Sequence, residues 1–176
     1  MRINRIKALL LKLVRIFRKM VMISILAVVL LVAAVFSLYI VFPIWNNVHL
    51  YTFAHQLKKV PMPEDTVFVE METTVGKLNG NGNGIDFFAA MLVKSELGSS
   101  ELFDYYKAAS FTGAKSDEHK VAIGVSAARG DELKSQYVER EKLKFHKLRS
   151  TEDFSGYYVV TLYDGGYEAL FDLRGN

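Results

Sequence analysis

Residues 20–45 read MVMISILAVVLLVAAVFSLYIVFPIW, and 23 of these 26 positions are apolar, broken only by Ser24, Ser37 and Pro43. No Lys, Arg, Asp or Glu falls between Lys19 and Lys58. A helix that packs on a soluble core needs one apolar stripe, whereas this stretch is apolar all round. At about 1.5 Å rise per residue, Val21 to Phe42 makes a helix of about 33 Å, against a hydrocarbon core of about 30 Å. We therefore read one transmembrane helix over residues 20–45. Tyr39, Trp45 and Tyr51 gather toward one end, where amphipathic rings sit at headgroup level.

Before the apolar run stand Arg2, Arg5, Lys7, Lys12, Arg15, Arg18 and Lys19, seven cations with no acid among them. After it, residues 46–60 offer only Lys58 and Lys59. The positive-inside bias predicts a cytoplasmic N-terminus, with the remaining chain on the outer side of a plasma membrane. A cleaved signal peptide shares the basic-then-apolar order, but this run exceeds the roughly 7–15 residues of a signal core, which favours a signal anchor. Ile3, Ile6, Leu10, Leu13 and Phe17 recur at three- and four-residue steps among the cations, the pattern of a surface-lying amphipathic helix. Membrane lipid is thus the expected partner of residues 1–19, at about 1 kcal/mol per basic residue near an anionic leaflet. The same charges also suffice merely to set topology. Nucleic acid is not an expected partner, because a membrane-fixed tail without its own fold has no element to read a groove.

With that segment set aside, the charge balance changes sign. The whole chain carries +3 from 22 basic and 19 acidic residues; the part after Lys19 holds 15 basic against the same 19 acids, or −4. The 51% apolar content also splits, leaving residues 46–176 at roughly 42%, close to an ordinary soluble domain. The 176 residues allow one domain plus an appendage. The absence of cysteine excludes a disulfide scaffold, a thiolate zinc site, a thiol nucleophile and a cysteine-linked lipid anchor.

Leu50, Phe53, Ala54 and Leu57 keep helical spacing up to Pro61-Met62-Pro63, which predicts a juxtamembrane helix and linker over residues 46–63. From Thr66 the period becomes two: Val67, Val69, Met71, Thr73 and Val75 predict one face of a strand. Ile85 to Ser95 is apolar on both faces, as in a strand covered on both sides. Ser99 or Ser100 then caps a helix of about ten residues. Val121 to Val125 predicts a strand ending at Arg129-Gly130, Asp131 to Tyr137 a helical turn, and Leu143 to Leu148 a charged strand or helix, with strand ranked ahead. Tyr157 to Tyr163 is a further strand, and Asp164-Gly165-Gly166 predicts a hairpin turn into Tyr167 to Leu173. The expected fold class is α+β: a transmembrane helix followed, over residues 64–176, by one mostly antiparallel sheet with one or two packed helices, in the order β-β-α-β-β-β.

Two constellations stand out as binding candidates. Asn79, Gly80, Asn81, Gly82, Asn83 and Gly84, with Asp86 beside them, supply positions that tolerate positive φ. Such a backbone forms either a nest for an anionic group or a plain hairpin connector, and turn chemistry favours the connector. Tyr157, Tyr163 and Tyr167 concentrate aromatic surface suited to a peptide or glycan partner; cross-strand packing is the plainer account. No catalytic residue is assigned, since Gly-x-Ser-x-Gly, Ser-x-x-Lys and His-Glu-x-x-His are all absent. No metal site or cofactor is expected: His49 and His55 lie six apart, not four, and His119 and His146 sit in polar surroundings. Glu70, Glu72, Asp86 and Asp172 are the carboxylates available for acid/base work, with no sign in the sequence that any two converge.

The basic arm, the run into Phe42-Pro43-Ile44-Trp45-Asn46-Asn47-Val48, the string Gly76-Lys77-Leu78-Asn79-Gly80-Asn81-Gly82-Asn83-Gly84 and the stretch Asp172-Leu173-Arg174-Gly175 together resemble small single-pass membrane-anchored proteins of Gram-positive bacteria. That resemblance implies a bacterial plasma-membrane setting and brings no catalytic residues with it. The functional expectation is an extracytoplasmic interaction or sensing module that binds an envelope component or a membrane-protein partner. The alternative is an envelope-modifying hydrolase using carboxylate acid/base chemistry.

Overall fold

The computed structural model describes residues 2–80, 82–116 and 119–176, with the side chains of Lys7 and of residues 10 onward. The chain divides into two compact units, Met1–Val41 and Phe42–Asn176. Helix α1 runs Arg2–Lys59 without a break, carrying Pro43 inside it. By length and composition Leu10–Lys59 is the one helix among the described residues able to cross a membrane, which fits a single-pass anchor. Its side chains from Leu10 to Leu31 are exposed. Lys58 and Lys59 close the last turn, where cations complement the helix dipole, and Pro61 follows.

The second unit holds the final turns of α1 and a four-stranded antiparallel sheet. Its strands are β1 (Thr66–Gly76), β2 (Ile85–Ser95), β3 (Ala122–Ala127) and β4 (Tyr157–Tyr167), arranged β1-β2-β4-β3, and α2 (Ser99–Lys107) follows β2. The predicted α+β class and antiparallel sheet are present. The chain order is β-β-α-β-β, one strand fewer than expected. Gly98, not Ser99 or Ser100, forms the α2 N-cap, its N–H donating to Glu101 Oε2 at 2.8 Å.

Central strand β2 is buried at every position but Lys94, as its two-sided apolar run predicts. On one face Phe87, Ala89, Met91 and Val93 meet Phe53, Ala54 and Leu57 of α1 and Leu102 and Tyr106 of α2. On the other, Phe88, Ala90 and Leu92 are covered by Leu78, Val138, Phe145 and Leu148. The sheet is thus a middle layer between helices and an irregular cover over residues 128–156.

Five local expectations are corrected. The predicted hairpin at Asp164-Gly165-Gly166 is a bulge within β4: Phe87 pairs with Asp164 and Ile85 with Tyr167, so Gly165 and Gly166 oppose the single residue Asp86. The N–H of Gly166, at φ +89°, donates to Asp86 Oδ1, so long-range pairing with β2 overrides local turn chemistry. Tyr167 to Leu173 is therefore not a returning strand, and a 3-10 turn covers Leu173–Gly175. The predicted strand over Leu143 to Leu148 is a single bridge, Lys144 to Glu132, followed by a 3-10 turn at His146–Leu148, and Asp131 to Tyr137 contains no helix. In β1 the alternation is interrupted at Val69: Phe68 opposes Val93 and Glu70 opposes Leu92, so Val69 packs on the irregular-cover side while Met71 and Val75 face the helices.

Candidate functional site

The β4 bulge gathers residues from five separate stretches of chain. Asp164, 2% exposed, accepts hydrogen bonds from Ala114 N at 2.6 Å and Tyr167 OH at 2.5 Å, and its Oδ1 lies 3.3 Å from His119 Nδ1. The His119 ring stacks on Tyr167 at 4.5 Å between centroids. One residue before the bulge, Tyr163 stacks on Tyr137 at 4.4 Å, and Asn79 Nδ2 donates to the Tyr163 hydroxyl at 3.4 Å. A pocket of about 420 Å³ opens among His119, Lys120, Ala122, Tyr137, Tyr163 and Asp164.

Electrostatics follow from these neighbours. Burial, then the hydrogen bond to Asp164, pushes the Tyr167 phenol up to about 12. Burial and the nearby Asp86 carboxylate raise Tyr163 as well. Both phenols therefore remain protonated donors through the neutral range. A neutral His119 that donates Nδ1–H to Asp164 keeps Nε2 as an acceptor. His119, Lys120, Tyr137, Tyr163 and Asp164 give the lining both donors and acceptors, so the arrangement can hydrogen-bond a ligand.

The sequence-selected residues fall as follows. Asp86 Oδ2 accepts from Leu78 N at 3.2 Å and its Oδ1 from Gly166 N at 3.1 Å. Gly84 N donates to Gly175 O at 2.8 Å, and Gly80 O accepts from Arg140 Nη2 at 2.7 Å. Gly82 and Asn83 are exposed, and Asn81 lies outside the described residues. Asn79, Asp86 and Tyr163 come together with Asp164 and Tyr167 at the bulge. Tyr157 lies apart, under the Lys94 ammonium at 5.4 Å. The tyrosines do not share one face: Tyr157 and Tyr163 belong to the irregular-cover side, while the bulge returns Tyr167 to the helix side. Lys7, Lys12, Arg15, Arg18 and Lys19 are exposed on α1; the side chains of Arg2 and Arg5 lie outside the described set.

His119 and Lys120 had no motif to mark them, because Asp164 lies 45 residues from His119. A second group also had no sequence signal. Glu70 and Glu72 on β1 and His146 on the 3-10 turn offer ligand atoms within 4.8 Å of one another, a spacing one cation could occupy. Lys147 N already donates to Glu70 Oε2 at 2.9 Å. Burial, then Glu70, raises the Glu72 carboxyl, and His146 opposes that shift.

Fold and site define an α+β domain of one antiparallel sheet, preceded by a helix of membrane-spanning length, with a polar aromatic pocket at a strand bulge. Compared with known proteins, the chain matches no family model, no curated protein and no solved structure.

Proposed function

We propose that this chain is a single-pass, membrane-anchored module with a cytoplasmic N-terminus and an extracytoplasmic domain. Through the pocket at the β4 bulge it binds an envelope component or the outer part of a membrane-protein partner. The observation that carries this reading is the convergence of Asp164, His119, Tyr163 and Tyr137 around one opening of about 420 Å³. An aromatic wall beside a few fixed polar groups is how ligand pockets select ligands. The seven N-terminal cations support the orientation through the positive-inside bias.

The cysteine-free chain permits a clean test of topology. In intact cells, a membrane-impermeant maleimide labels a Ser150→Cys chain and spares a Lys7→Cys chain; the reverse pattern refutes the orientation. For binding, the full chain in micelles is titrated with soluble envelope glycan and peptide fragments while ring resonances are followed by NMR. Shifts at His119, Tyr137 and Tyr163 without shifts at Tyr105 on α2 are expected. Shifts spread equally over all tyrosines, or none at the pocket, sink the assignment.

A further inference from the structure

We infer that the loop carrying Leu170 and Leu173 is a second membrane contact, seated in the lipid interface beside the point where α1 leaves the apolar core. This rests on reading α1 as a membrane span. Three observations within the Phe42–Asn176 unit lead to it.

The loop lies along α1 at the end of its apolar run. Phe171 packs on Phe42 with ring centroids 5.5 Å apart. Arg174 Nη2 donates to Pro43 O at 3.1 Å and Nη1 to Asn47 Oδ1 at 2.7 Å, while Asn46 Nδ2 donates to Asp172. Residues 171–174 are thereby fixed against residues 42–47, the turns where a helix spanning from about Val21 reaches the headgroups.

Exposure supplies the second observation. Leu170 is 58% exposed and Leu173 67%, and the adjoining turns of α1 expose Ile44 at 58% and Trp45 at 58%. Isolated exposed leucines are ordinary, but these two flank a residue that packs on the helix just where its lipid-facing surface ends. Leu170 and Leu173 thus add exposed apolar surface to that of Ile44 and Trp45 in the same unit.

Backbone conformation supplies the third. Leu170 adopts φ +47°, and the other non-glycine residue with positive φ among those described is Asp65, a type that tolerates it. This uncommon backbone state holds an apolar side chain outward from the domain. Continuity with the α1 surface selects bilayer lipid over a second copy of the chain as the occupant.

The test uses the full chain in phosphatidylcholine–phosphatidylglycerol vesicles, with single substitutions Leu170→Cys, Leu173→Cys, Ser150→Cys and Leu30→Cys, each labelled with an environment-sensitive fluorophore. Native Trp45 reports the helix exit, and its emission verifies that each labelled chain is folded like the parent. We expect blue-shifted emission at 170 and 173 and quenching by brominated lipid severalfold above that at 150. Wet, unquenched labels at 170 and 173 alongside a quenched label at 30 overturn this inference and leave the anchor standing. Dry labels at 170 and 173 that brominated lipid fails to quench mean that protein covers the loop, which also overturns it. An unquenched label at 30 overturns the anchor itself.

Discussion

Replacing Asp172 with alanine tests whether a single buried carboxylate ties residues 170–176 to α1. Asp172 is fully buried and accepts from Asn46 Nδ2 at 2.6 Å and from Arg174 N, Nε and Nη2 at 3.1, 2.9 and 2.7 Å. Asn46 is 1% exposed, and its Oδ1 has no hydrogen-bond partner. Loss of the carboxylate leaves both polar ends of that amide unpaired. Removing one member of a buried charged pair costs about 3–5 kcal/mol. The Arg174 side chain is 37% exposed and can turn toward water, so the lower end applies, about 3 kcal/mol. For a domain of this size that is a fall in Tm of about 10 °C.

The assay is thermal unfolding of the full chain in micelles, followed by near-UV circular dichroism. Tyrosines in the sheet domain report there, whereas the helical signal of the micelle-embedded segment persists. Asp172→Asn keeps the shape and one acceptor oxygen but sets its NH2 against two of these donors, and is expected to lose about 2–3 kcal/mol. pH adds an independent check. Burial pushes the Asp172 carboxyl up, but bonds from Arg174 and Asn46 outweigh it and hold the group below its ordinary 3.8. A depressed carboxylate contributes stability that is full above its unfolded value and is lost as pH falls through the folded one. The gap between parent and Asp172→Asn should therefore shrink below about pH 3.8. An Asp172→Ala chain within about 0.5 kcal/mol of the parent at pH 7 would refute the reasoning, since substitutions away from such features have effects of that size.

Three further substitutions probe other joints. A Cβ on Gly175 would meet Ala169 Cβ at 2.6 Å, Gly84 O at 2.8 Å and Ile85 Cδ1 at 2.9 Å, so Gly175→Ala should cost about 1–3 kcal/mol by overpacking; a neutral urea midpoint contradicts that fit. Leu78 is fully buried at the base of the Asn-Gly loop, and Leu78→Ala should cost about 2–5 kcal/mol, which a freely hanging connector would not. The folded carboxyl of Glu72 is raised above its ordinary 4.5, chiefly by burial and then by Glu70, so its ionisation opposes folding. That penalty is absent below the unfolded value and complete above the folded one, so Glu72→Gln should stabilise at pH 7 and be neutral well below 4.5; equal effects at both pH values contradict the assignment.

What could be read in the sequence was what has a period. The stripe Leu50, Phe53, Ala54, Leu57 faces the sheet, and the two-sided apolar run of β2 lies between two covered faces, because in each case burial is encoded by neighbours a few residues away. The cover over residues 128–156 has no such code. Val138, Phe145 and Leu148 are buried with no common period, and distant bonds fix the chain between them: Glu139 N to Leu78 O at 2.9 Å, and Phe145 N to Asp131 O at 2.8 Å. The hairpin prediction at Asp164-Gly165-Gly166 failed for a related reason. Two glycines after an aspartate suit a reversal and a bulge alike, and Asp86, nearly eighty residues earlier, decides between them by accepting the Gly166 N–H.

The same bulge explains why the site was half legible. Asn79, Asp86, Tyr163 and Tyr167 were each singled out for local chemistry, and the structure brings them together, because Gly165 and Gly166 shift β4 by one residue where it passes the end of β2. That shift turns Tyr167 back toward the helix side with Asp164, whose carboxylate then reaches His119 beyond β4. A bulge cannot be read from glycines alone, since it exists only relative to a partner strand. Deleting one of the two glycines removes the extra residue and should leave Tyr167 opposite Ile85, on the same face as Asp164. The tyrosine hydroxyl should then keep the burial and the carboxylate that push its pKa up to about 12. A Tyr167 titration that falls toward 10 in a folded deletion chain would mean that the bulged backbone itself, and not the register it sets, builds the site.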